Sequence, residues 1–282
     1  MNKILVPYDF SKVSRHALGF ACEIAEKSNA AIILLNVIEH PTQDFFSKMG
    51  VKSLDPMEQL YVKKMVEQVE AKLNAVGTEA QFSDDKIFYK IQLGNAFNTI
   101  IDQIVDERVD LVVMGTEGTD GSNELFAGSN AERVVRKATC PVITVQNKCE
   151  IEPIEKIVFA SDFENTDNTF VSQLKTLQAT LGAQLKVVKI NTPASFTSTR
   201  HDMKQMREFV NKNDIQNYTI EIYNQKNEVD GIMFYAEDVE ADMIALGTHQ
   251  RRGVGHFLSG SIAEDVTNHS PIPVWTAHLR LD

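Results

Sequence analysis

Three glycines and a serine in the first half of the chain have the spacing of a loop that could cradle an anion. Gly115-x2-Gly118-x9-Gly128-Ser129 starts where the apolar run DLVVMG ends and finishes where an amphipathic stretch begins. Gly115 and Gly118 let the backbone turn sharply and approach a ligand with no Cβ in the way. Gly128 and Ser129 fall at a helix start, where free N–H groups and the dipole favour negative charge, and the serine hydroxyl adds a donor. A lone glycine pair there would be ordinary turn punctuation. Three glycines plus a hydroxyl, repeated in part further along, point to phosphate binding. Asp9, ending the first apolar run, supplies a carboxylate for the same edge.

The elements that must hold these residues follow from periodicity. KILVPY (3–8) is a short, nearly continuous apolar strand, as expected when both faces are covered. A helix runs from about Ser11 to Lys27, with Ala17, Phe20, Ala21 and Ile24 on one face. Strands follow at 30–38, 86–92, 110–115 and 140–146, and helices at Asp55–Ala75 (opened by Pro56), Asn95–Glu107 and Ala127–Ala138.

The pattern then repeats. KILVPYDFSK (3–12) is answered by KIVFASDFEN (156–165), VDLVVMGTEG (109–118) by ADMIALGTHQ (241–250), and the 125–145 block by 257–277. Asp9 and Asp162 stand 153 residues apart, whereas Gly115/Gly247, Gly128/Gly260 and Pro141/Pro273 stand 132 apart, so the second copy is 21 residues shorter between its first strand and its glycine loop. The deficit falls after Ile190, in the loop and helix at about 192–213. Strands of the second copy are expected near 156–161, 185–190, 218–223, 242–247 and 273–277. Strand–helix alternation of this kind implies α/β architecture: two doubly wound, five-stranded parallel sheets with right-handed crossovers. The domains are 1–147 and 154–282, with a polar linker from Gln146 to Pro153. In such sheets ligands sit beyond the carboxyl ends of the strands, where the strand order reverses.

Composition narrows the function. The formal net charge of −11 is shared by both halves and no basic stripe occurs, which argues against nucleic acid as a partner. No apolar run approaches the ~20 residues that span a bilayer, so no membrane is expected. Asp9 interrupts the place where a signal peptide needs apolar residues, and three cysteines without metal or CxxC spacing suit a reducing compartment; a cytoplasmic setting is expected. GxGxxG after the first strand, GxxxxGK[ST], HExxH and GxSxG are all absent, and no general base with a nucleophile stands in the loop. Trp275 falls in a strand and reads as core or interface.

The G-x2-G-x9-G-[ST] pattern, with an aspartate closing the first strand, resembles the ATP-binding signature of the universal stress protein family, and the likeness spans nearly the whole chain as two copies. The resemblance implies ATP as ligand, with ADP or AMP as alternatives and Mg²⁺ as an accompanying ion. It implies that Pro7, Tyr8 and Asp9 border the adenosine, that Val37 meets adenine through its backbone, and that Met114 and Gly115 line the ribose. Gly118, Gly128, Ser129 and Asn130 would hold phosphates. The matching positions of the second copy are Asp162, Ile190, Gly247, Gly260 and Ser261, but Gln250 replaces its second glycine and Arg251, Arg252 and His256 enrich that loop. The resemblance also implies antiparallel pairing of the two fifth strands, and a homodimer of tandem chains is a further expectation. The leading reading is a nucleotide-responsive stress or regulatory protein, binding rather than turning over ATP. The alternatives are a nucleotide-free interaction scaffold, or a slow ATPase or autokinase.

Overall fold

The computed structural model describes residues 1–39, 56–79, 86–116, 129–146, 153–164, 167–249 and 259–279, and every expected strand forms within them. The N-terminal half runs β1 (Lys3–Pro7), α1 (Lys12–Ser28), β2 (Ala31–Ile38), α2 (Pro56–Glu79), β3 (Ile87–Leu93), α3 (Ala96–Asp106), β4 (Leu111–Gly115), α4 (Ser129–Lys137) and β5 (Val142–Val145). The C-terminal half runs β6 (Lys156–Ala160), α5 (Asn168–Leu181), β7 (Gln184–Asn191), α6 (Thr199–Lys212), β8 (Tyr218–Asn224), α7 (Glu228–Asp238), β9 (Met243–His249), α8 (Ser259–His269) and β10 (Val274–Leu279). Of the expected linker, residues 147–152 lie outside the described residues.

The helices start where side chains can take up free N–H groups. Ser11, Asn95, Asp167, Ser198 and Asn227 are N-caps, each accepting from the N–H three residues on. α2 is 24 residues long and α6 only 14, which locates part of the second copy's deficit in this helix.

The strand order is β3-β2-β1-β4-β5-β10-β9-β6-β7-β8 in one ten-stranded sheet. Within each half all pairings are parallel, and the order reverses between the first strand and the fourth. The two five-stranded sets therefore form a single sheet, joined where β5 and β10 pair antiparallel, Trp275 opposite Ile143. That pairing satisfies two edges that would otherwise present bare N–H and C=O groups. The seam is reinforced from both sides. Thr144 Oγ1 donates to the Val274 carbonyl and Thr276 Oγ1 to the Val142 carbonyl, each at 3.3 Å. Gln146, read as the start of a linker, instead anchors the halves: its Nε2 donates to the Asn268 carbonyl at 2.9 Å. Trp275 is 1% exposed and lies 5.5 Å from the Phe170 ring, so it is at once core and interface.

One face of the sheet carries a core shared by both halves, running from Ile4 and Val6 under α1 to Phe159 and Trp275. The other face carries two separate cores, one around Leu35, Ile100 and Met114, the other around Val188, Ile232 and Leu246. Two anchors recur in both halves. Asp110 Oδ2 accepts from the Asn2 and Lys3 N–H groups, and Asp242 Oδ2 accepts from those of Glu155 and Lys156, tying first strand to fourth. Phe10 (φ 67°) and Phe163 (φ 61°) both occupy the left-handed region, unusual for bulky residues, where the chain turns back from its first strand.

Candidate functional site

The repeated turn sets the floor of the site. After β1 the chain turns through Asp9, whose Oδ1 accepts the Ser11 N–H at 3.0 Å. Burial alone would raise the Asp9 pKa, but hydrogen bonds from Ser11, side chain and backbone, and from Ser14 bring it below the ordinary value. The carboxylate is thus held ionised, an acceptor only.

Beyond the carboxyl ends of β1, β2 and β4, at the point where the strand order reverses, lies a cavity of about 250 Å³. Asp9 and Pro7 border it from β1, Val37 and Leu35 from β2, Met114 and Gly115 from β4, and Asn130 from the first turn of α4. Pro7, Tyr8, Asp9, Val37, Met114, Gly115 and Asn130, drawn from four separated stretches of sequence, therefore meet around one space. Tyr8 contributes to the wall although its ring is buried in the core beneath α1, edge-on to Phe10 at 5.3 Å. Its carbonyl accepts Asn36 Nδ2 at 2.7 Å, which fixes the strand end below the cavity. Ser129 begins α4, while Gly118 and Gly128 lie outside the described residues.

Gly115 lines the cavity and also has a packing role that its spacing did not suggest. A Cβ there would meet Val13 Cγ1 at 2.3 Å and the Val13 backbone carbon at 3.0 Å. The missing side chain makes room for the first turn of α1, which itself lines the cavity through Ser11, Val13 and Ser14. Sequence reasoning missed those three residues, together with Leu35, Ala96, Ile100 and Ala131. The apolar face of α3 and the cap at Ser11 were visible signals, but nothing in the sequence said that both faced the cavity.

In the C-terminal half Asp162 keeps the same turn, its Oδ1 accepting the Glu164 N–H at 3.0 Å. Ile190 is 8% exposed and belongs to the core with Val188, Ile232 and Leu246. Gly247 sits on β9 against Leu279; Gly260 and Ser261 lie in the first turn of α8. Gln250, Arg251, Arg252 and His256 lie outside the described residues.

The model of the Universal stress protein family matches residues 1–146 and again 153–278. The chain belongs to the universal stress protein family. Single-copy relatives align with half of it. Universal stress protein MJ0577 of Methanocaldococcus jannaschii is 30% identical over 155 residues, which are 52% of this chain and 96% of that protein. Universal stress protein MJ0531 of the same organism is 31% identical over 145 residues, 51% of this chain and 82% of that one. A universal stress protein from Archaeoglobus fulgidus shares the whole architecture, with a TM-score of 0.74 at 20% identity and 99% of both chains covered. Among the described residues no helix is long and apolar enough to cross a membrane.

Proposed function

We propose that this universal stress protein binds ATP in its N-terminal half, with ADP or AMP as competing ligands, and that the bound state is read by a partner. The observation that carries this is the cavity at the strand-order reversal, bordered at once by Asp9, Val37, Met114, Gly115 and Asn130. Ligands of open α/β sheets occupy this place. About 250 Å³ is just under the ~300–1,000 Å³ common for small-molecule sites, so the cavity suits the nucleoside rather than the whole triphosphate.

Each wall has a matching chemistry. Leu35, Val37, Ile100 and Met114 give apolar contact to a flat base. Ionised Asp9 accepts from an exocyclic amine, which adenine has. The triphosphate then runs outward across the head of α4, where Ser129 and Asn130 stand and N–H groups lack intrahelical partners. Gly118 and Gly128 complete that grip in this proposal. Mg²⁺ would be held by phosphate oxygens and water, as this ion is where substrate phosphates supply the ligands; among the described residues no three acidic, histidine or cysteine side chains converge on a metal position. Binding, not turnover, is the activity proposed. The domains 1–147 and 154–282 act as one unit in the cytoplasm, joined through their fifth strands.

The test is direct. Protein purified without added ligand is denatured, and released nucleotide is measured by anion-exchange chromatography; ATP binding is then titrated calorimetrically. Asp9→Ala removes one charge-assisted hydrogen bond, worth roughly 1.5–3 kcal/mol, or about 10- to 100-fold in affinity. Absence of released nucleotide together with no binding at millimolar ATP would sink the proposal.

A further inference from the structure

We infer that only the N-terminal half takes a nucleotide, because the matching space in the C-terminal half is filled by the chain's own side chains, chiefly Ile190, Ile262 and Leu279. This rests on the nucleotide reading of the N-terminal cavity and adds to it the stoichiometry and the residues that set it.

Ile190 stands where Val37 stands in the first copy. Val37 is half-buried and shares a cavity wall with Ala96 and Ile100 of α3. Ile190 instead presses against α7: a Cβ on Gly231 would come within 2.4 Å of its Cγ2 and 3.3 Å of its Cγ1. Gly231 takes the place of Thr99. The glycine lets α7 settle onto the isoleucine, and the volume left open beside Val37 is occupied.

The wall from the last helix changes in the same sense. Asn130, a polar side chain at the cavity, is replaced by Ile262, which packs against the core that contains Ile190. A group able to hydrogen-bond a ligand gives way to one that only excludes water.

The third substitution is topological. In the N-terminal half the first turn of α1 rests on Gly115 through Val13 and lines the cavity. In the C-terminal half the helix is capped at Asp167, three places later in the repeat than Ser11. Leu279, at the end of β10, takes over the contact: a Cβ on Gly247 would lie 2.7 Å from its Cδ1. Asp162 meanwhile keeps the Asp9-like turn intact. The acceptor has been retained and the pocket beside it lost, which separates a packing change from general decay of the copy.

The experiment is a stoichiometry measurement with site mapping. Equilibrium dialysis of the full chain with labelled ATP is expected to saturate at one nucleotide per chain, and photolabelling with 8-azido-ATP is expected to mark peptides from residues 1–146 only. Saturation at two, or label within 153–279, overturns the inference while leaving the N-terminal site standing. Saturation at zero overturns the nucleotide reading and the inference with it. In the variant Ile190→Ala with Ile262→Asn, shown folded by its unfolding curve, saturation should rise from one towards two. If it stays at one, these side chains are not what closes the half, and their assignment is overturned.

Discussion

At matched positions the two halves carry Val37 and Ile190, Asn130 and Ile262, Asn36 and Lys189, on strands and helices arranged in the same order. What stays constant is the frame. Asp110 and Asp242 tie first strand to fourth, and Phe10 and Phe163 turn the chain in the left-handed region. What changes is the lining: Val37 and Asn130 border the cavity in one half, whereas Ile190 lies in a core and Ile262 packs against it in the other. A doubly wound sheet is thus indifferent to whether its crevice is open or filled. On the inference above, a few side chains decide, and duplication lets one copy keep the crevice while the other fills it.

The sharpest contrast lies at the position shared by Asn36 and Lys189. Asn36 makes a neutral hydrogen bond, whereas Lys189 is buried and pairs with Asp202 on α6 at 2.7 Å, their side chains 7% and 0% exposed. Thr197 Oγ1 also donates to Asp202 Oδ1, while Oδ2 has no hydrogen-bond partner among the described residues. Asp202→Ala leaves a buried ammonium uncompensated and should cost about 3–5 kcal/mol, whereas Lys189→Met with Asp202→Leu should be nearly neutral or stabilising. Urea unfolding of both variants measures this. Equal losses would mean that the ion pair is not what holds α6 to β7.

Next in size is the contact between Gly115 and Val13. Gly115→Ala forces a clash with Val13 and should cost about 1–3 kcal/mol through overpacking, weakening ATP binding as the first turn of α1 shifts. Adding Val13→Ala removes the 2.3 Å contact with Cγ1 but leaves Val13 Cβ at 2.9 Å and its backbone carbon at 3.0 Å, so it should recover only part of both losses in thermal unfolding and calorimetry. Gly247→Ala should be milder, because what it meets is the end of the Leu279 side chain rather than a helix backbone. A double variant that regains stability without regaining affinity would show that Gly115 acts on the ligand directly.

The smallest effect concerns pH. Glu107 receives hydrogen bonds from Lys3 and Lys90, which depress its carboxyl to about 2 from 4.5. A depressed carboxyl stabilises the fold above its unfolded value and loses that contribution as pH falls, so this term is fully present above about pH 4.5 and disappears towards about pH 2. The second copy has Val239 at this place, with Lys156 Nζ donating to its carbonyl. Glu107→Gln should therefore flatten the acid limb of stability slightly, as read by unfolding at stepped pH, and an unchanged limb would show the clamp to be energetically silent.

Much of this was legible in the sequence. Three repeated blocks gave the strand order its internal symmetry, the apolar runs marked all ten strands, and the glycine spacing led to the edge where the cavity lies. The family followed from the same residues. Less legible were contacts between residues far apart in the chain. Nothing at Gly115 announces that Val13, a hundred residues earlier, needs the room its side chain would take. Lys189 in an apolar strand reads the same whether its ammonium reaches water or meets Asp202. Ile190 matches Val37 as a conservative exchange, and only the nearness of α7 over Gly231 turns it into a plug.

The most direct measurement is a crystal structure of the protein grown with ATP. Density for the base between Asp9, Val37 and Met114, with phosphates over the first turn of α4 and none beside Ile190 and Gly247, is the predicted result. An empty N-terminal crevice, or a nucleotide seated against Gly231 in the C-terminal half, would contradict it.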